Sequence, residues 1–501
     1  MTADMMHQIE KMVLLFSIIF LPISRLPKRF TLPLLSPDLS EIFAVLGIIL
    51  LIIEYFRFGF QISKKAKYFI LIFTAWQFLC LGIGIILFPY HDLIMWDNES
   101  RIFKLFSAFA AHGVPINKEL VPNLWLIYRS IKMILINTNM IFYVAFLVHH
   151  LYHNNYQEGF LDFRKAVLAM VLIMGAYSLI ELCWLKTNNG FAKNLLSTIN
   201  PYLYDIRSSH GWYPPLLWNR QLRSITREPS FFGIISVFYL PFLWSYLLEK
   251  KYISAVLIFY FTLMIFATNA RTAVVVVVAE LFLLTLSAFW MKKKDYTKFV
   301  IIILGISLCA FLGNLVNVNA FFHHSNQNTS MRLEQYYKKN IQSLSKKKSR
   351  SNNARFANLE ANISVIKEHP LIGVGTGLID GYIDDHLPES AYSDVEVRNW
   401  SRYLHMLGIT KSGYPALNKY AFEATKNGTI GLVLFLLPFL YLGIQIIKRK
   451  DILLGNPYYS LLCIDLLGQC ACWMSNSDFT NIKGFLLGIL FCANEFYLQK
   501  R

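Results

Sequence analysis

The sequence predicts an all-α, polytopic membrane protein of about twelve transmembrane helices with one large extracytoplasmic loop. Three observations predict it. Of 501 residues, 55% are hydrophobic and 16% charged, with a mean hydropathy of +0.42, whereas a soluble domain carries about 25% charged residues. The apolar residues gather in runs of about 17–25, the length that crosses a hydrocarbon core of about 30 Å. Lys and Arg number 48 against 31 Asp and Glu, a formal charge of +17. In a chain this apolar, the excess marks loops held on the cytoplasmic side, not a nucleic-acid surface. A water-soluble globular protein is excluded.

The apolar runs lie near 12–24, 40–56, 68–88, 124–148, 165–185, 230–247, 252–269, 271–290, 299–315, 428–447, 457–474 and 482–498. The first is short, yet it lacks a small-residue cleavage site and is followed by Arg25, Lys28 and Arg29. It is therefore read as a span and not a signal peptide. Alternate connections carry Arg57, Lys64, Lys65 and Lys67, then Arg164-Lys165, Lys250-Lys251, Lys292-Lys293-Lys294 and Lys448-Arg449-Lys450. Placing these and the final Lys500-Arg501 inside makes both termini cytoplasmic, with only Arg25–Arg29 discordant.

The long connections 89–122, 186–229 and 316–427 then face outward. The chain divides into a bundle of nine helices (1–315), a mainly helical periplasmic loop domain (316–427) and a bundle of three helices (428–501). Within the loop, the polar block Ser343–Asn353 precedes a helix carrying Phe356, Leu359, Ile363 and Ile366, stopped by Pro370. No repeat and no inverted duplication of the transporter kind stands out. All seven cysteines lie in apolar stretches, so they are read as small core hydrophobes, with no disulfide framework and no zinc site.

The most informative stretch is Arg223-Ser224-Ile225-Thr226-Arg227-Glu228-Pro229-Ser230-Phe231-Phe232-Gly233, where the second outer loop re-enters the membrane. Pro229 suits a first helical turn and Glu228 its positive end. The stretch reads equally as a cap with snorkelling arginines or as an anion site at headgroup depth. Asn269-Ala270-Arg271-Thr272 makes a tight outer turn with Arg271 at its tip. Arg129 and Lys132 sit one to three turns below the outer entrance of the fourth span. Ionisable groups at that depth are costly and default to a functional expectation. The structural alternative is a buried ion pair, with Glu181, Glu280 or Asp465 as partner. Several cations converging on one leaflet favour an anionic-lipid site.

Arg355 opens the loop helix that leads into His369-Pro370-Leu371-Ile372-Gly373-Val374-Gly375-Thr376-Gly377. No strand precedes this glycine run and no Lys-Ser/Thr follows it, so it reads as a turn after a helix stop and not as a nucleotide loop. Asp384-Asp385 lacks the spacing of a metal-holding DxD pair; no metal and no cofactor is expected. Candidate bases are Glu228, His405, His369, His210 and Glu423. His149, His150 and His153 face the cytoplasm and are excluded. Outer aromatics, among them Trp212, Tyr213, Trp218, Tyr382, Tyr392, Trp400, Tyr403 and Tyr414, form an interfacial belt or stack on sugar faces.

These residues carry a resemblance. Arg227-Glu228-Pro229-Ser230-x-x-Gly233 is similar to the re-entry motif of bacterial polysaccharide polymerases. The Asn269–Thr272 turn resembles the Ser-Arg turn of the O-antigen ligase/polymerase superfamily, and Arg355…His369-Pro370-Leu371-Ile372-Gly373-Val374-Gly375 resembles its Arg…Pro-Leu-x-Gly-x-Gly signature. Asn418-Lys419-Tyr420…Gly428-Thr429-Ile430-Gly431 resembles the closing His-Asn…Gly-x-x-Gly stretch. The set spans about 223–431 in family order. Ligases place a His before that Asn; Leu417 stands here, which tilts the resemblance toward the polymerase (Wzy-type) branch.

The resemblance implies a GT-C-like membrane fold in the bacterial inner membrane with a periplasmic active site. It also implies metal-independent, inverting transfer from polyprenyl-pyrophosphate-linked oligosaccharides, with a chain-length regulator and a flippase as partners. A ligase acting on lipid A core, or a flippase of the same lipid-linked sugar, are the competing readings. The chemistry needs fixed guanidiniums for the departing diphosphate and a base for the attacking hydroxyl. The residues expected in these roles are Arg227 and Arg271 at the diphosphate, Glu228 or His405 as base, and Arg223, Arg129, Lys132, Arg355 and Asn418 around the substrate.

Overall fold

Helices form wherever an apolar run meets a polar cap, and in the computed structural model they are the only regular elements among the described residues. Those residues are 2–24, 26–30, 38–60, 63–96, 101–203, 221–315, 350–450, 455–476 and 479–499. In order the helices are α1 (Ala3–Ile19), α2 (Leu39–Phe58), α3 (Lys64–Leu87), α4 (Arg101–Ala111) and α5 (Leu120–Lys132), which runs through a π-helical segment (Met133–Thr138) into α6 (Met140–Tyr152). Then come α7 (Tyr156–Thr187), α8 (Gly190–Leu203), α9 (Pro229–Leu248), α10 (Ser254–Ala267), α11 (Arg271–Met291) and α12 (Lys294–Leu315). The following segment contributes α13 (Arg350–Glu368), α14 (Ile379–Asp385) and α15 (Val395–Leu407). Last are α16 (Lys419–Lys448), α17 (Pro457–Cys472) and α18 (Thr480–Gln499). Side-chain caps mark several starts: the Thr2 hydroxyl accepts from Met5 N–H at 3.3 Å and the Asn155 carbonyl from Glu158 N–H at 3.3 Å.

Eight of these helical stretches are long and apolar enough to cross a membrane: α2, α3, α5–α6, α7, α9, α11, α12 and α16. The other four expected spans are also helices, but α1, α10 and α17 are shorter and α18 carries Lys483, Asn494 and Glu495. Helix α9 runs through the middle, buried almost throughout, against α7, α10, α11, α12 and α17. The outer helices instead expose apolar side chains such as Phe56, Ile86 and Phe289, as lipid-facing surfaces do.

The described part of the expected loop domain, 350–427, does not fold apart from the bundle. Its core residues Val365, Leu378, Ile379, Val397 and Leu404 join Leu81 and Phe88 from the end of α3, and Leu126 and Ile134 from α5 and the π-helical segment, in one buried cluster. Helix α13 presents its small side, with Ala354, Ala357, Ala361, Asn358 and Asn362 buried, while Phe356 and Ile363 stay exposed. That small side lets it sit against α16, where the Thr425 hydroxyl donates to Asn362 Oδ1 at 2.7 Å. The polar block expected at Ser343–Asn353 lies outside the described residues up to 349, as do Arg25, His210, Trp212, Tyr213, Trp218 and the terminal Lys500-Arg501.

The glycine run is more than a turn after Pro370. Val374 N–H donates to Thr425 O and Gly375 N–H to Lys426 O, each at 2.9 Å, and Thr429 N–H to Pro370 O at 2.8 Å. Helix α16 opens for this pairing at Gly428 (φ 69°, ψ −178°), the residue where the span was expected to begin. A Cβ on Gly373 (φ +71°) would lie 2.5 Å from Thr425 O. Gly373→Ala is therefore expected to cost about 1–3 kcal/mol and lower the thermal midpoint of the detergent-solubilised protein. Gly443→Ala, into open space on α16, should leave it unchanged.

Candidate active site

The loop that delivers Arg227 is built on a buried carboxylate. Glu181 of α7, 3% exposed, accepts from Ser224 N–H at 2.6 Å and Arg223 N–H at 3.3 Å. The Thr226 hydroxyl lies 2.7 Å from Arg223 O and 2.8 Å from Glu228 O. The chain then turns into α9 with Glu228 as N-cap and Pro229 in the first turn. Arg271 is the first residue of α11, reached through a left-handed Asn269 (φ 50°) and the Ala270 cap. Gly233 brings these two helix starts together: a Cβ there would fall 2.3 Å from the Cβ of Ala273. Only the missing side chain lets α9 and α11 pack this closely.

Two further arginines arrive from other elements. Arg129 of α5 donates to Ile409 O at 3.0 Å, and Arg355 of α13 donates to Ser475 O. Arg129, Arg227, Arg271 and Arg355 all line one cavity of about 930 Å³, together with Lys411, the carboxylates Glu228, Asp380 and Glu396, and the rings of Trp400 and Tyr414. Arg227 and Glu228 form a pair at 3.9 Å. Burial pushes the Arg355 guanidinium below its ordinary value and Arg271 adds to this, while Glu396 and Glu228 oppose it. The two helix starts add their own positive ends to the cavity wall.

Asp380, on α14, is not legible in the sequence. It follows the glycine run in an ordinary Leu-Ile-Asp-Gly stretch and makes no motif. Its Oδ1 accepts from Tyr414 N–H at 2.7 Å, and Gly413 packs so tightly that a Cβ would lie 2.5 Å from its carboxyl oxygens. Burial raises its pKa from 3.8 to about 6, against the pull of the Tyr414 amide and Arg129. Glu396 and Lys411 are of the same kind, polar residues of a polar loop that only folding singles out.

Several expected residues lie elsewhere. Arg223 turns inward, its Nε 3.8 Å from Glu181, so it supports the loop and does not line the cavity. That pairing also takes the Glu181 that Arg129 or Lys132 would have used. Lys132 has Arg101, Glu41 and Arg129 as charged neighbours and is outside the lining. Asn418 is a helix cap: its carbonyl accepts from Ala421 N–H at 3.0 Å and its amide donates to Met474 O at 3.4 Å. His405 pairs with Asp384 at 2.7 Å on the surface, 55% exposed, and Asp384 also takes the Tyr414 hydroxyl. Glu423 is buried between Lys419 and Lys426 at 2.8 and 2.7 Å. The His369 ring packs edge-on against Tyr382. Glu280 and Asp465 neighbour each other in the bundle, away from the lining.

Residues 255–436 match the family model described as O-antigen ligase. The match is consistent with the resemblance to the O-antigen ligase/polymerase superfamily read from the sequence. The matched segment contains Arg271, Arg355, Asp380, Trp400 and Tyr414 and begins after Arg227 and Arg129. No curated protein matches the chain.

A carboxyl whose folded pKa of about 6 lies above its unfolded value of about 4 binds more protons folded than unfolded between those values. Its contribution is favourable below pH 4 and is lost as pH rises through 6. Asp380→Asn should remove that part of the slope, seen as a flatter thermal midpoint against pH between 4 and 6.

Proposed function

We propose that the protein is a glycosyltransferase that polymerises polyprenyl-pyrophosphate-linked oligosaccharide repeat units into O-antigen or a related surface polysaccharide. The reaction takes place on the periplasmic side of the bacterial inner membrane and releases polyprenyl pyrophosphate. The observation that carries this reading is the meeting of Arg129, Arg227, Arg271 and Arg355, from four separate elements, around one cavity.

A sugar hydroxyl of the acceptor attacks C1 of the donor sugar on the face opposite the diphosphate. The C1–O bond breaks, its electron pair leaves with the pyrophosphate oxygen, and the hydroxyl proton passes to a carboxylate. Fixed guanidiniums aimed at the leaving oxygens stabilise the charge as it develops, and such preorganised stabilisation contributes more to catalysis than any other single effect. Arginine suits this better than lysine because its planar fork holds two phosphate oxygens at once. Asp380 is the better-placed base: it lines the cavity, and a pKa near 6 leaves it ionised at neutral pH yet basic enough to take a proton. Glu228 lines the same cavity but is already paired with Arg227. Trp400 offers a face for a sugar ring.

The ligase reading is favoured by the description of the matching family; Leu417 in the place of the ligase histidine favours the polymerase. Purified protein given lipid-linked repeats alone should yield a ladder of longer glycans. A product formed only when lipid A core is added would establish the ligase, and lipid-linked substrate scrambled without any change in length a transporter.

Arg227→Ala and Arg271→Ala should each lower turnover by about 10²–10³-fold, leaving single-repeat product at normal protein level, with the lysine variants intermediate. Asp380→Asn should reduce kcat with little change in KM. Persistent ladders in both alanine variants would overturn the assignment.

A further inference from the structure

At the far end of the bundle from the cavity, three helices bring two imidazoles and two carboxylates together. His7 and Glu10 lie on α1, Glu54 near the end of α2 and His150 near the end of α6. One ligand atom from each of His7, Glu54 and His150 lies within 4.8 Å of the other two. His150 Nε2 is 2.9 Å from Glu54 Oε2. The His150 ring meets His7 edge to face at 6.0 Å and is covered by Phe60 at 4.2 Å.

The fourth residue makes this more than an ion pair. Glu10 is fully buried, neither of its oxygens has a hydrogen-bond donor among the described residues, and it faces the Glu54 carboxylate. Two carboxyl groups in contact inside a protein need a proton or a cation between them. The adjacent Lys11 is committed elsewhere, to Glu158 at 2.5 Å and Asp162 at 2.7 Å.

We propose that His7, Glu10, Glu54 and His150 bind a divalent transition-metal ion of the zinc class. Two imidazole nitrogens and two carboxylate oxygens are a donor set that such ions take up in tetrahedral geometry at about 2.0–2.2 Å. Magnesium and calcium prefer oxygen alone. Two carboxylates balance the charge of one divalent ion. His7 and Glu10 stand three residues apart, the spacing that puts two side chains on one helix face. Bound metal would tie α1 and α2 to α6. It is separate from the arginine cavity: Arg129 and His150 sit on one continuous helical span, roughly 30 Å apart at about 1.5 Å per residue. No motif announces the site, because its donors are scattered between residues 7 and 150.

The test uses the full chain in detergent, stripped with chelator and titrated with Zn²⁺ or Mg²⁺, the bound metal being counted by mass spectrometry. One Zn²⁺ per chain and no retained Mg²⁺ is expected, with a higher thermal midpoint on binding. Glu54→Gln and His150→Ala should each weaken Zn²⁺ binding at least tenfold, while His153→Ala, outside the cluster, keeps it. Glu10→Gln separates binding from folding: removing a buried carboxyl that faces another carboxyl should raise the midpoint of the metal-free protein and still weaken Zn²⁺. Failure to bind Zn²⁺, equal retention of Mg²⁺, or equal Zn²⁺ binding by all four variants would overturn the proposal.

Discussion

Four guanidinium groups around one cavity repel each other, and that repulsion is the constraint the architecture has to meet. No single helix can present them together, so each comes from a different element, and three of them are tied down by groups other than the arginines. Arg129 spends one donor on Ile409 O, Arg355 on Ser475 O, and Arg227 leans on Glu228. Glu228, Asp380 and Glu396 supply negative charge in the same wall. Such a site holds like charges close together before any ligand enters, and the diphosphate of the proposed donor would neutralise part of that charge. Preorganisation of this kind stabilises charge that develops during a reaction without reorganising at that moment.

Holding the arginines apart but close demands tight backbone packing behind them. The start of α9 can approach α11 only because residue 233 has no side chain. The 350–427 segment is pressed onto the bundle by backbone hydrogen bonds to an opened turn of α16, and by a core it shares with the ends of α3 and α5. Below that seam, Glu423 is held between Lys419 and Lys426, and Lys426 reaches Thr138 at the end of the π-helical segment. A buried carboxylate with two ammonium partners is tolerable where a lone one is not. Glu423, which looks like a candidate base in the sequence, is here part of the fastening between loop and bundle.

Much of this was legible in the sequence. The apolar runs all became helices, since hydrophobic stretches of that length have few other stable forms in lipid. The cap at Glu228-Pro229 and the turn at Arg271 are both helix starts in the structure, because both are local signals read from a few adjacent residues. What escaped was of two kinds. Asp380, Glu396 and Lys411 are ordinary loop residues until folding carries them beside arginines more than a hundred positions away. Arg223 and Asn418 looked like substrate contacts, but one pairs with Glu181 and the other caps α16. A polar side chain beside a helix start has local partners available, and which it takes depends on what packs above it.

The sequence alone determined that this chain is a bundle of membrane helices with arginines at the ends of several of them, since hydropathy and capping act over a turn or a span. It also carried the superfamily resemblance, in motifs whose order survives in the linear chain. Which arginines share a cavity, which carboxyl stands among them, and which histidines and glutamates meet at the opposite end were decided only by tertiary structure. Those groups act on one another through space at a few ångströms, and the chain places them tens to hundreds of residues apart.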